Sequence, residues 1–221
     1  MLIKDKLMTA LTLWCTFLMG YLDTYAFLNY DDLLVSAQTG NLVLLGANLR
    51  NGLSDIMPHV ASFGGFLLGA FLAEALVVYT AKNSSRKFSV FILIQIIVLF
   101  GVASFESLIG VYGFAVILGA FSGYTLTVFN RVGSTKMNNG IMTGNVQKLM
   151  TQLYRVIFLR EKDAWSVSRV ILIGVTTFVV GIFTSALLYI NFSGQMMMIA
   201  ACLSVLVFVV LVVVGRKVRE T

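Results

Sequence analysis

Two carboxylates and one recurring polar tripeptide are the residues of this sequence best suited to chemistry in apolar surroundings. Asp23 and Glu74 are the acids that fall inside long hydrophobic runs. An ionised carboxylate there is costly without a partner, so each is a candidate proton or cation site. Thr39-Gly40-Asn41 lies between two apolar runs and recurs as Thr143-Gly144-Asn145, again ahead of a helix-like run. Hydroxyl and amide groups can bond a solute, and glycine permits a sharp bend. Thr39, Asn41, Thr143 and Asn145 are therefore expected to contact solute, with Gly40 and Gly144 allowing the bend. Tyr21 and Tyr124 are second choices for the same site.

The elements that position these residues are set by composition. The chain has 58% hydrophobic and 12% charged residues, mean hydropathy +0.91 and one proline. A water-soluble core would need a polar shell, and too few polar residues remain to make one. The expected fold is an all-α integral membrane protein with the lipid bilayer as its partner. Six apolar stretches suggest six transmembrane helices, at roughly 7–29, 58–81, 88–109, 111–130, 165–190 and 194–215. The first has no small-residue cleavage site and is expected to be a retained span.

Charge predicts an orientation. With both termini cytoplasmic, Lys4, Lys82, Lys87, Arg155, Arg216 and the other basic residues all lie on one side, leaving only Arg50 of the 16 outside. Asp31, Asp32, Asp55 and Glu106 then fall on the outer side. The net charge of +6 is thus a topology signal, and no nucleic-acid partner is needed to explain it.

Under that topology the first Thr-Gly-Asn is approached from outside and the second from inside. Three crossings in each half is an odd number, which makes tandem halves inverted. The expected repeats are residues 1–109, with segment 33–49, and residues 110–221, with segment 140–160. Gly20-Tyr21 and Gly123-Tyr124 match between them, as do Gly69-Ala70-Phe71 and Gly181-Ile182-Phe183. Each half is expected to carry its Thr-Gly-Asn as a re-entrant or broken-helix segment. Segment 140–160 has a second reading, as a basic amphipathic helix lying on the lipid surface.

Gly-Tyr-Leu-Asp at 20–23, then Gln-Thr-Gly-Asn-Leu-Val-Leu-Leu-Gly at 38–46 and a Gly-rich second run, resemble the YoaK-type family of bacterial membrane proteins. That resemblance covers nearly the whole chain. It implies a multi-spanning architecture in the bacterial inner membrane and transfers no activity.

Thr9, Thr12, Thr16, Gly20 and Asp23 share one helical face. Ala61, Gly65, Gly69 and Ala73 form a small-residue stripe, as do Gly174, Thr177, Gly181 and Ser185; both are expected to serve close helix packing. Glu74 has an alternative role as an ion-pair partner of Lys82 or Arg86, and Asp23 as a hydrogen-bond partner of the nearby Thr-Gly-Asn backbone. Cys15 and Cys202 read as packing residues, and the lone His59 as an interfacial or capping residue after Pro58. No metal, cofactor or enzymatic motif is implied.

The expected activity is transport of a small polar solute through a midplane site formed by the two Thr-Gly-Asn segments, with proton coupling as one form. A passive channel and a non-transporting scaffold or lipid-binding protein are the alternatives. A homo-oligomer is compatible with either.

Overall fold

The computed structural model describes residues 3–30, 32–80 and 87–217. Its elements are α1 (Ile3–Asn29), α2 (Gln38–Asn48), α3 (Leu53–Thr80), α4 (Lys87–Val128), a hairpin of β1 (Arg131–Val132) and β2 (Thr135–Lys136), α5 (Met142–Phe158), α6 (Lys162–Phe192) and α7 (Met196–Lys217). Short 3-10 turns follow α2 and α6.

Helix α1 is the interior element. Leu11, Cys15, Leu18, Met19, Tyr21, Leu22 and Ala26 are almost wholly buried, and so are the polar Thr12 and Thr16. The outside is apolar instead: Leu67, Phe71 and Val78 on α3 and Ile173, Phe183 and Ile190 on α6 are all exposed. Apolar outside with polar groups inside is the distribution that lipid, not water, selects.

The expectation of six separate spans is corrected. Among the described residues three helical stretches are long and apolar enough to cross a membrane: Leu53–Tyr79, Val90–Val128 and Lys162–Val210. Residues 88–109 and 111–128 form the two helical arms of α4, which meet at a kink at Gly110, whose φ of 68° and ψ of 170° favour glycine. Its two arms fold back on each other, since Tyr124 Oη donates to the Phe91 carbonyl at 2.7 Å. Residues 165–190 and 194–215 likewise join through the 3-10 turn Ser193–Gln195. Helix α1, with its charged start and threonine-rich face, is not among the three.

The expectation of an inverted repeat is corrected too, because it requires three crossings in each half and the described residues hold three membrane-length stretches in all. The re-entrant Thr-Gly-Asn segments are corrected as well. Each tripeptide lies in the first turn of an ordinary helix, α2 or α5, and most residues of α5 and nearly half of those of α2 are exposed.

Glycines set the closest helix crossings. A Cβ on Gly20 would run into the Phe178 carbonyl of α6, and one on Gly181 into the Phe17 carbonyl of α1. Gly65 and Gly69 of α3 meet the Val116 and Ala120 carbonyls of α4 in the same way, and Gly119 and Gly123 meet those of Ser62 and Phe66. Without hydrophobic drive between helices in lipid, such close backbone approach supplies the van der Waals contact. Gly174 faces the side chain of Met137.

Candidate functional site

Asp23, on the last third of α1, is 7% exposed. Its Oδ1 accepts the backbone N–H groups of Val35 and Ser36, both at 2.7 Å, and its Oδ2 lies 2.5 Å from Ser36 Oγ. Ser36 Oγ is also 2.9 Å from the Gly140 carbonyl. The loop ahead of α2 and the loop ahead of α5 therefore meet beside this carboxyl group.

A hydroxyl has one proton, and here two acceptors compete for it. Both contacts are satisfied together when Asp23 is protonated: Oδ2–H donates to Ser36 Oγ, and Ser36 O–H donates to the Gly140 carbonyl. With Asp23 ionised, Ser36 satisfies one acceptor at the expense of the other.

Asn41 lies on the inner face of α2 and is fully buried. Its Oδ1 accepts Leu34 N–H at 3.0 Å and its Nδ2 donates to the Leu34 carbonyl at 2.6 Å. Asn145 does the same for Asn138, at 3.3 and 2.6 Å. Each asparagine thus fixes the strand of chain that precedes its own helix. Around Asn41 lie Gln38 Oε1 at 3.1 Å, Ser62 Oγ at 3.2 Å and His59 Nδ1 at 3.3 Å. The expectation for His59 is corrected here: α3 starts at Leu53, so Pro58 and His59 lie within the helix and His59 is buried.

Thr12, Thr16 and Asp23 follow one another along the buried face of α1. Thr9, at the head of that face, accepts the Gly133 N–H of the hairpin at 2.8 Å. Gln95 of α4 reaches the face through Cys15, with Sγ 3.5 Å from Gln95 Oε1. From the other arm of α4, Thr125 Oγ1 sits 3.6 Å from Met19 Sδ, and Asn139 Nδ2 donates to the Thr125 carbonyl at 3.0 Å. Thr12 Oγ1, Gln95 Nε2, Ser122 Oγ and Asn139 Oδ1 are buried without a protein hydrogen-bond partner. Buried polar groups with spare bonding capacity therefore lie on α1, on both arms of α4 and in the loop ahead of α5.

The remaining candidates separate from these groups. Thr39 and Thr143 are exposed, as is Gly144, while Gly40 packs against Leu34. Tyr21 Oη donates to the Met196 carbonyl at 2.9 Å, and Tyr124 Oη is held by Phe91. Glu74 is exposed on the outer face of α3 beside Phe71 and Val78. Its expected partners Lys82 and Arg86 lie outside the described residues, as do Asp31 and Arg219 among the charges used for orientation. Ser36, Ser62, Gln95, Ser122, Asn139 and Gly140 did not stand out in the sequence, because serine, asparagine and glycine are common at helix contacts and turns.

A second acid has its own setting. Tyr25 and Tyr30 both donate to Glu106 Oε1, Tyr30 at 2.6 Å, and the Tyr30 ring stacks on Phe114 with centroids 3.9 Å apart. Among the described residues no group of three or more His, Cys, Asp or Glu could hold a metal. The volume between α3 and the two arms of α4 is an apolar cleft of about 360 Å³, lined by Gly69, Leu72, Val98, Val116 and Tyr124 among others.

The model of the DUF1275 family, described as a protein of unknown function, matches residues 11–210. The chain belongs to the DUF1275 family. The likeness to YoaK-type proteins stands with that membership, and the family has no assigned activity. No curated protein and no solved structure matches the chain. For this DUF1275 protein, apolar helices and family together support a bacterial membrane location.

Proposed function

We propose that this DUF1275 protein is a permease for a small polar solute, which moves along the polar face of α1 under control of the proton on Asp23. The observation that carries the reading is the chain Asp23–Ser36–Gly140, in which one hydroxyl serves a buried carboxyl group and a carbonyl 104 residues further along the chain. Protonated Asp23 leaves Ser36 free to bind Gly140 and keeps the two loops joined. Loss of the proton turns the Ser36 hydroxyl toward the carboxylate and releases Gly140. The loops then part, and rebinding of a proton by Asp23 joins them again.

Thr12, Thr16, Ser122, Thr125 and Asn139 supply the path. The unpartnered groups among them, on Thr12, Ser122 and Asn139, would each be worth about 1–3 kcal/mol if filled, which a polar solute or water can do. Asn41 and Asn145 act in this mechanism by holding the loops, because their amides are already engaged with Leu34 and Asn138. Asp23 is the proton site.

Accessibility tests the path directly. In a Cys15→Ser, Cys202→Ser background, Thr12→Cys, Ser122→Cys and Thr125→Cys are expected to react with small charged thiol reagents in oriented vesicles, and Leu118→Cys is expected to stay unlabelled. Absence of labelling at all three polar positions from both sides refutes the permease. The competing reading, a lipid-binding protein without transport, is favoured by the apolar cleft beside Gly69. It predicts that same silence together with co-purified lipid protected by α3 and α4.

A further inference from the structure

Helix α5 carries three different faces. Asn145 and Leu149 are buried against the fold. Val146, Met150, Tyr154, Ile157 and Phe158, at helical spacing, form an exposed apolar strip, with Phe158 67% exposed. Gln147, Thr151 and Arg155 form an exposed polar strip beside it. No uniform medium suits both exposed strips: water disfavours the first and hydrocarbon the second. Only the boundary of a bilayer offers both at once.

Charge then selects the boundary. Between Arg131 and Arg169 the chain has seven basic and two acidic residues. Arg155 shares Glu161 at 3.8 Å and remains half exposed. Arg160, in the left-handed region with φ 56°, and Lys162 stand exposed at the joint between α5 and α6. Lys148 Nζ donates to the Lys136 carbonyl at 3.0 Å, close to the same face. On the first turn of α6 the exposed Trp165 lies under the Arg169 guanidinium, 5.8 Å from the ring centroid. Beyond Arg169 the exposed side chains of α6 turn apolar at Leu172 and Ile173, in a stretch able to cross a membrane.

We infer that the α5–α6 joint is a docking surface for the anionic headgroups of a phospholipid bilayer, with the α5 strip of Val146 to Phe158 set at the acyl boundary. Lys148, Arg155, Arg160 and Lys162 meet phosphate, and Tyr154 and Trp165 sit at headgroup level, where aromatic rings are favoured. The joint leads directly into α6, whose stretch is able to cross a membrane, and that favours lipid over an acidic protein. This inference does not depend on the permease reading.

Trp165 reports on it once Trp14 is replaced by Phe. The full-length Trp14→Phe protein is placed in vesicles of phosphatidylcholine and phosphatidylglycerol in which one lipid or the other is brominated near the headgroup end of its chains. Brominated phosphatidylglycerol is expected to quench Trp165 at least about twofold more than brominated phosphatidylcholine at equal mole fraction. Adding Lys148→Gln, Arg155→Gln, Arg160→Gln and Lys162→Gln is expected to abolish the difference. Should the fourfold variant fail to fold, high salt applied to the unmodified joint must shrink the difference by screening. Equal quenching by both lipids, or a preference that survives charge removal and salt, overturns the inference. An acidic protein as the true partner gives that first result.

Discussion

Ser36 and Gly140, 104 residues apart in the chain, are joined by a 2.9 Å contact between Ser36 Oγ and the Gly140 carbonyl, with the Asp23 carboxyl group against the same hydroxyl. Few side-chain bonds in the molecule tie such distant segments, and this one passes through an ionisable group.

Asp23→Asn is expected to fold as well as the parent protein. The amide keeps an oxygen for the Val35 and Ser36 N–H groups and donates to Ser36 Oγ, which reproduces the protonated acid. Asp23→Ala strips all three bonds and should cost about 1–3 kcal/mol for each donor left unsatisfied. Thermal unfolding in detergent separates the two variants. In proteoliposomes holding a pH-sensitive dye, Asp23→Asn is expected to lose proton movement despite its intact fold.

Asn41→Ala should destabilise by about 1–3 kcal/mol, because it frees partly buried backbone groups at Leu34, and Asn145→Ala by less, because Asn138 is exposed and water can take over its bonds. Thr39→Ala and Thr143→Ala, at exposed positions, are expected within about 0.5 kcal/mol of the parent. A large effect on stability from the threonines, read by thermal shift, would contradict the placement of these helices.

Gly20→Ala and Gly181→Ala are expected to cost about 1–3 kcal/mol each, since the new methyl group meets the backbone of the facing helix rather than a yielding side chain. Gly64→Ala and Gly46→Ala meet nothing within 4 Å and should be neutral or slightly stabilising. Monodispersity and melting temperature of the four purified variants provide the comparison.

Glu106→Gln keeps an acceptor for Tyr25 and Tyr30 and is expected to be mild. Tyr30→Phe removes one donor and should lower stability by about 0.5–1.5 kcal/mol, visible as a reduced melting temperature. Combining Tyr30→Phe with Glu106→Gln should cost less than the sum of the two, because they share a bond.

The membrane character of the chain was legible in composition alone, because no arrangement of 58% hydrophobic residues can hide them from the surroundings. The buried face of α1 was legible too: Thr9, Thr12, Thr16, Gly20 and Asp23 recur at helical spacing, and the helix can turn only one such face inward. Asp23 announced itself as an acid in an apolar run. The glycine stripes showed where helices would approach, as the contacts of Gly65, Gly69 and Gly181 bear out.

What the sequence could not decide was how the segments connect in space. Hydropathy divides the chain at residue 110 without revealing that the two arms of α4 fold back on each other at Gly110. It also marked the Thr-Gly-Asn tripeptides without showing that their asparagines spend their amides on Leu34 and Asn138, or that their threonines face outward. Ser36, Gly140 and Asn139 acquire meaning only beside residues far away in the chain. Helical periodicity and transfer free energy are properties of neighbouring residues, so a sequence carries them openly; a hydrogen bond between two loops depends on the packing of every helix between them, and only the tertiary structure fixes it.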